Sequence, residues 1–147
     1  MAAAKLKRKQ TRDSFRALSN KWLEDAGTLL EAGRYDAAYY VAGYAVECAL
    51  KACIAATANR FDFPDKDTVN QSYTHGLEQL LGVAGLLESL RIAWNDDEAL
   101  ARYWPLVNQW DEESRYDAGM SAQEARDFYQ AITDPDHGIL QWIRHHW

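Results

Sequence analysis

Between Gly33 and Cys53 the chain reads GRYDAAYYVAGYAVECALKAC, and from Ala37 to Val46 it carries no charge. The spacing stays helical while small residues (Ala37, Ala38, Ala42, Gly43, Ala45) alternate with Tyr39, Tyr40, Val41 and Tyr44. A helix on a protein surface shows one apolar stripe, whereas one that is apolar nearly all round has to be covered on several sides. In a chain of 147 residues such a helix is the centre of a bundle, part of a subunit interface, or both. Glu47 and Lys51 stand out, being the only charges on it after Asp36.

The length suits one domain with a real core. An apolar content of 48% with six Trp argues for packing and against disorder. No apolar run approaches the roughly 18 residues of a membrane span, and no apolar signal core follows the opening segment, so the chain reads as cytoplasmic. Cys48 and Cys53 lie five apart on one helix and point to different sides, which predicts buried, reduced thiols.

Charge is unevenly placed. Residues 1–21 hold Lys5, Lys7, Arg8, Lys9, Arg12, Arg16 and Lys21 against Asp13, a net of +6, whereas the remainder carries −12. An acidic body is a poor duplex-DNA binder, because phosphate contacts supply most non-specific affinity. The basic start reads as a flexible arm over residues 1–12, ahead of a helical domain over residues 13–147.

Phe15, Leu18, Trp22, Leu23, Ala26, Leu29 and Leu30 recur at three- and four-residue steps, predicting a first helix from Ser14, its N-cap, to Glu31. Gly33 ends it, and the short connection folds the second helix, Tyr35 to Ala58, back antiparallel. Turn formers and Pro64 predict a loop over residues 59–73. Thr74 caps a third helix, His75 to Ile92, in which Gly76, Gly82 and Gly85 lower intrinsic helicity. A fourth helix runs from Asp96 to Asp111 around Pro105, and a loop from Ser114 to Met120 follows. Ser121 with Glu124 caps a fifth helix over residues 122–132. Asp134 with Pro135 starts a short final helix ending near His146. Nothing alternates as a strand does. The expected architecture is all-α, an up-and-down bundle of four longer helices plus a broken or appended C-terminal helix.

The order of these elements resembles the HEPN family, the helical domains named from higher-eukaryote and prokaryote nucleotide-binding proteins. The likeness rests on Trp22 and Leu29-Leu30, then Gly33-x-Tyr35-x-x-Ala38-x-Tyr40, then Ala45-x-Glu47-x-Ala49-Leu50-Lys51-Ala52. It continues through His75-x-Leu77-x-x-Leu80, Ser114-Arg115-Tyr116, Ala125 and Gly138-Ile139-Leu140-x-Trp142-Ile143. The resemblance implies a homodimer, often found beside a nucleotidyltransferase in toxin–antitoxin or defence systems. Many members look like metal-independent RNases whose signature is an Arg followed, after four to six residues, by a His. The Arg steadies phosphate charge while the His handles the 2′-hydroxyl proton. This chain departs from that signature: Tyr116-Asp117-Ala118-Gly119-Met120-Ser121-Ala122 follows Arg115, with no His.

Five residues are the candidates for a ligand- or RNA-binding site: Glu47, Lys51, Arg115, Tyr116 and Asp117. Glu47 and Lys51 have the favourable order for an ordinary helix ion pair; by resemblance, Glu47 instead orients Arg115 at a dimer cleft. Arg115 itself reads either as a ligand contact or as a helix-end salt bridge. His75 reads as structural. His145 and His146 are adjacent and diverge on a helix, so no metal site is expected, and no cofactor. Trp94, Trp104, Trp110, Trp142 and Trp147 are assigned to the core and the dimer seam. The reading is a non-catalytic HEPN-like homodimer that binds a protein partner (a nucleotidyltransferase or another), a nucleotide or RNA. The alternative is an RNase with a non-standard site around Arg115, and a plain dimerisation module stands third.

Overall fold

The computed structural model describes residues 10–59, 76–116 and 118–147, with backbone alone at residues 58, 59, 115 and 116. Nearly all of the expected loop over residues 59–73 lies outside the described residues, as do Thr74, His75 and residues 1–9 of the basic arm.

Helix α1 spans Arg12–Glu31. Its N-cap is Thr11, not Ser14 as the sequence suggested. The Thr11 hydroxyl accepts from the Ser14 amide (3.1 Å) and the Ser14 hydroxyl accepts from the Thr11 amide (2.8 Å). This reciprocal box satisfies two orphan amides, which Ser14 alone would not do. At the other end Gly33, at φ +76°, donates to Leu30 while Arg34 donates to Leu29. That is a Schellman ending, and it needs a residue free to adopt the left-handed region.

Helix α2 spans Tyr35–Asn59 and is the centre of the fold. It packs along α1 and also touches the third, sixth and seventh helices and a 3₁₀ turn. Ala38, Ala42, Ala45, Ala49 and Ala52 are all buried, so neighbouring backbones approach closely. Ser19 on α1, itself buried, donates to the Ala45 carbonyl at 2.7 Å across that seam. The expectation that this helix is covered on several sides holds within one chain.

The single third helix of the sequence reading is two helices, α3 (Leu77–Val83) and α4 (Leu87–Asp96). Gly85, at φ +74°, makes the same kind of ending as Gly33: it donates to Gly82, and Leu86 donates to Leu81. Gly within a helix costs about 1 kcal/mol relative to Ala, and breaking here lets Leu77, Leu80 and Leu81 and then Leu90 all reach the core. Helix α5 spans Glu98–Asn108, shorter at both ends than expected, with the Asp97 side chain capping Leu100 at 3.0 Å. It buries Leu100, Trp104 and Val107, while Tyr103 and Leu106 are only partly covered.

A 3₁₀ helix, Glu112–Tyr116, occupies part of what read as a loop. Helix α6 spans Ala122–Thr133, with Ser121 capping Glu124 at 3.1 Å as expected. The Asp134–Pro135 start of a final helix is not borne out: α7 spans only Ile139–Arg144, with Gly138 as its N-cap. Asp134 instead closes α6 and turns the chain, its Oδ1 accepting from the Asp136 and His137 amides. Asp side chains compete in this way with helical backbone bonding.

The result is an all-α bundle, with no strand among the described residues. None of the described helices is long and apolar enough to cross a membrane. Trp104 and Trp110 are buried, whereas Trp94, Trp142 and Trp147 are only partly covered.

Candidate functional site

Glu47 lies deep in the bundle at 1% exposure, and Lys51 Nζ meets its Oε1 at 2.9 Å with 17% exposure. The ion pair expected from the spacing is formed, with its lysine partly exposed and its carboxylate buried. A buried carboxylate is costly unless charge and hydrogen bonds compensate it, so its presence at the middle of the central helix calls for partners.

One turn before Glu47 the helix surface is hollow. A Cβ on Gly43 would stand 2.2–2.3 Å from the Trp110 indole, so the ring lies flat against the glycine backbone. Trp110 is 2% exposed, and its Nε1 has no hydrogen-bond partner among the described residues. Tyr40 and Tyr44 flank the indole with centroids 5.9 and 6.5 Å away, and Trp22 meets Tyr44 edge-on at 6.1 Å. An aromatic wall thus stands between α1, α2 and the end of α5. Burial pushes the Tyr44 phenol pKa up, and the charges of Glu47 and Glu112 push in the same direction. Glu112 opens the 3₁₀ helix, so that helix and Glu47 share one electrostatic neighbourhood.

The 3₁₀ helix packs against α2 and is anchored at both ends. At its start, Asp111 Oδ1 accepts from the Glu113 amide (2.9 Å), and the Ser114 amide donates to the Asp111 carbonyl (3.2 Å). Beyond its end, Asp36 in the first turn of α2 accepts from the Met120 amide (2.9 Å) and the Gly119 amide (3.3 Å). The backbone carrying Arg115 and Tyr116 is thereby clamped to the same helix that carries Glu47. The side chains of Arg115 and Tyr116, and Asp117 altogether, lie outside the described residues.

Neither thiol is set up as a nucleophile. Burial pushes Cys48 and Cys53 to about 12, against an ordinary value of 9.0, so neither forms thiolate near neutrality. Among the described residues no group of three or more His, Cys, Asp or Glu could hold a metal ion.

Sequence reasoning did not single out the Gly43–Trp110 contact or the Asp36 clamp. A lone glycine among aromatic residues in mid-helix was the available signal for the first; nothing local announces the second, which joins residues more than eighty apart. It also overlooked a polar corner where Asp97 Oδ2 meets His137 Nδ1 at 2.8 Å and the Tyr103 hydroxyl donates to Asp134 at 2.7 Å.

The family model described as HEPN domain matches residues 15–144. Neither the curated proteins nor the solved structures give a match.

Proposed function

The chain belongs to the HEPN family, and on that premise we propose that it works as a homodimeric, non-catalytic binding module of a toxin–antitoxin or defence-type system in the cytoplasm. Its cleft, beside Glu47, Lys51 and the Arg115 segment, takes a protein partner such as a nucleotidyltransferase, a nucleotide or RNA. The observation that carries this reading is the clamped 3₁₀ helix. Asp111 bonds the Glu113 amide before Arg115 and Asp36 on α2 bonds the Met120 amide after it, and such anchoring on both sides of the segment supports reading it as a preorganised anion-binding edge.

Absence of catalysis is inferred from chemistry. An arginine can hold a phosphate, but cleavage of RNA also needs a group to move the 2′-hydroxyl proton. No His follows Arg115 at a useful spacing, and the buried thiols hold their protons too tightly to serve.

Two measurements test the reading. Light scattering at micromolar concentration gives twice the chain mass; a monomer removes the homodimer. Purified protein is then incubated with RNA beside an Arg115→Ala variant, and intact RNA in both is expected. Cleavage by the parent that the variant loses would overturn the non-catalytic assignment in favour of an RNase built around Arg115.

A further inference from the structure

Arg12, at the start of α1, is a half-used fork. Its Nη2 donates to the Trp147 main-chain oxygen, whereas its buried Nε has no acceptor among the described residues. These two N–H groups of a guanidinium run parallel and match the two oxygens of one carboxylate. Trp147 fills one prong and leaves the other empty. A buried donor without a partner is uncommon, because it has given up water and gained nothing in return.

The Trp147 ring is held by two further cations. The guanidinium carbons of Arg16 on α1 and Arg144 at the end of α7 lie 5.1 and 5.4 Å from its centroid, and Asn20 Oδ1 accepts from Arg144 Nη2 at 3.0 Å. Such contacts attract an aromatic face without enclosing it, and Trp147 is only partly buried. His145 and His146 are exposed, and the Trp147 amide makes no backbone hydrogen bond among the described residues. Trp147 is therefore pinned by side chains rather than by secondary structure, and it can leave without unwinding α7.

Arg12 and Trp147 both line a cavity of about 540 Å³, together with Cys53 and the apolar Ala56, Ala84 and Leu86. That volume lies within the range of small-ligand sites. Burial raises the Cys53 thiol pKa to about 12, and the Arg12 charge opposes that rise, so the guanidinium field reaches the cavity wall. Cys53 follows Lys51 by two residues, about 200° round the helix, so the cavity lies on the opposite side of α2 from Lys51.

We propose that this cavity binds a small aromatic carboxylate, with Trp147 as a displaceable strap over it. The ligand carboxylate takes both prongs of Arg12, and its ring takes the place of the indole beside Arg16 and Arg144. Trp147 itself displays the chemistry selected, since it presents an oxygen to Arg12 and a ring to the other two cations. A free acid completes the fork, which Trp147 does not. The strap competes as an intramolecular ligand, so the apparent affinity of the acid falls with the fraction of time the strap is closed. The site is separate from the Glu47–Arg115 cleft and does not rest on the function proposed for it.

Isothermal titration calorimetry of the full chain with indole-3-acetate tests the assignment, beside indole-3-acetamide and the peptide acetyl-Gly-Gly-Trp with a free carboxylate. The acid is expected to bind the parent, with the amide at least about tenfold weaker because it offers Arg12 one oxygen and no charge. Trp147→Ala should tighten binding of the acid about fivefold or more by removing its competitor. Arg12→Gln should weaken it at least about tenfold. Should Arg12→Gln lose helical circular dichroism, Arg12→Lys serves instead: it keeps the charge, loses the fork and weakens binding about fivefold. No binding of the acid at about 1 mM by either the parent or Trp147→Ala would overturn the site. Equal affinity for acid and amide, or unchanged affinity in the Arg12 variants, would do the same. Unchanged or weaker binding in Trp147→Ala would overturn the strap, and tighter binding of the peptide than of the acid would overturn the small-molecule assignment.

Discussion

Two ion pairs of nearly equal length divide the molecule into regions that obey different rules. Glu47 and Lys51, 2.9 Å apart, sit at the middle of α2, where the carboxylate is 1% exposed. Asp97 and His137, 2.8 Å apart, join the start of α5 to the turn after α6, at 26% and 49% exposure. Distance alone does not separate them; water does. In the first region the carboxylate is cut off from water, and removal of its cation leaves it uncompensated. In the second, water replaces whatever is removed, so the contact sets geometry more than stability.

The sharpest test of this contrast is Gly43. An alanine methyl there would overlap the Trp110 indole, which other aromatic rings hemmed in by α2 keep from retreating. Gly43→Ala should cost about 3 kcal/mol in urea unfolding, at the upper end for overpacking; a loss under about 1 kcal/mol would mean the ring shifts freely. Lys51→Met comes next, with an expected loss of about 2 kcal/mol from a buried carboxylate deprived of a cation. Glu47→Leu/Lys51→Met should recover much of that loss, and a double-mutant cycle without coupling would break the comparison.

Smaller again is Gly85→Ala, at about 1 kcal/mol, because a left-handed backbone is strained for any L side chain although nothing crowds the site. An unchanged midpoint would show that the ending between α3 and α4 tolerates a right-handed residue. The smallest effect belongs to His137→Gln and appears only as a pH dependence. Its hydrogen bond to Asp97 raises the His137 pKa above 6.5, and the same bond lowers the Asp97 pKa below 3.8. The histidine contribution is fully present below 6.5 and is lost as pH rises through the raised value. The aspartate contribution is present above 3.8 and is lost as pH falls through the lowered one. Parent and variant should therefore differ most near about pH 5 and converge in alkaline urea titrations. A gap that widens with alkalinity would contradict the pairing.

Much of the fold was legible because some residues announce their role locally. Gly33 ends α1 in the left-handed region, Ser121 caps α6, and the uncharged run in α2 requires cover that the bundle supplies. The errors fell where local signals compete. Thr11 and Ser14 are both good caps, and only their reciprocal pairing selects Thr11. Asp134 before Pro135 reads as a helix start, yet its carboxylate has Tyr103 and two turn amides to satisfy. Gly85 was recognised as unfavourable to helix but not as its end, because that choice depends on where Leu86 and Leu90 find the core.

The candidate site was legible in part. Glu47 and Lys51 could be picked out as charges in an uncharged helix, and the family likeness pointed to the Arg115 segment. Their placement could not be read, since the clamp from Asp36 to Met120 and the seat of Trp110 on Gly43 join distant stretches of chain. The converging arginines around Trp147 were similarly hidden: their residues come from both ends of the described chain.

By itself, then, the sequence determined an all-α protein organised about one apolar helix, because hydrophobic period and end-caps are written in consecutive residues. Tertiary structure alone decided how deep Glu47 sits, where the third helix breaks, and which cations gather at Trp147. Local preferences of about 1 kcal/mol or less set the first list, and burial energies several times larger, shared among residues far apart in the chain, set the second.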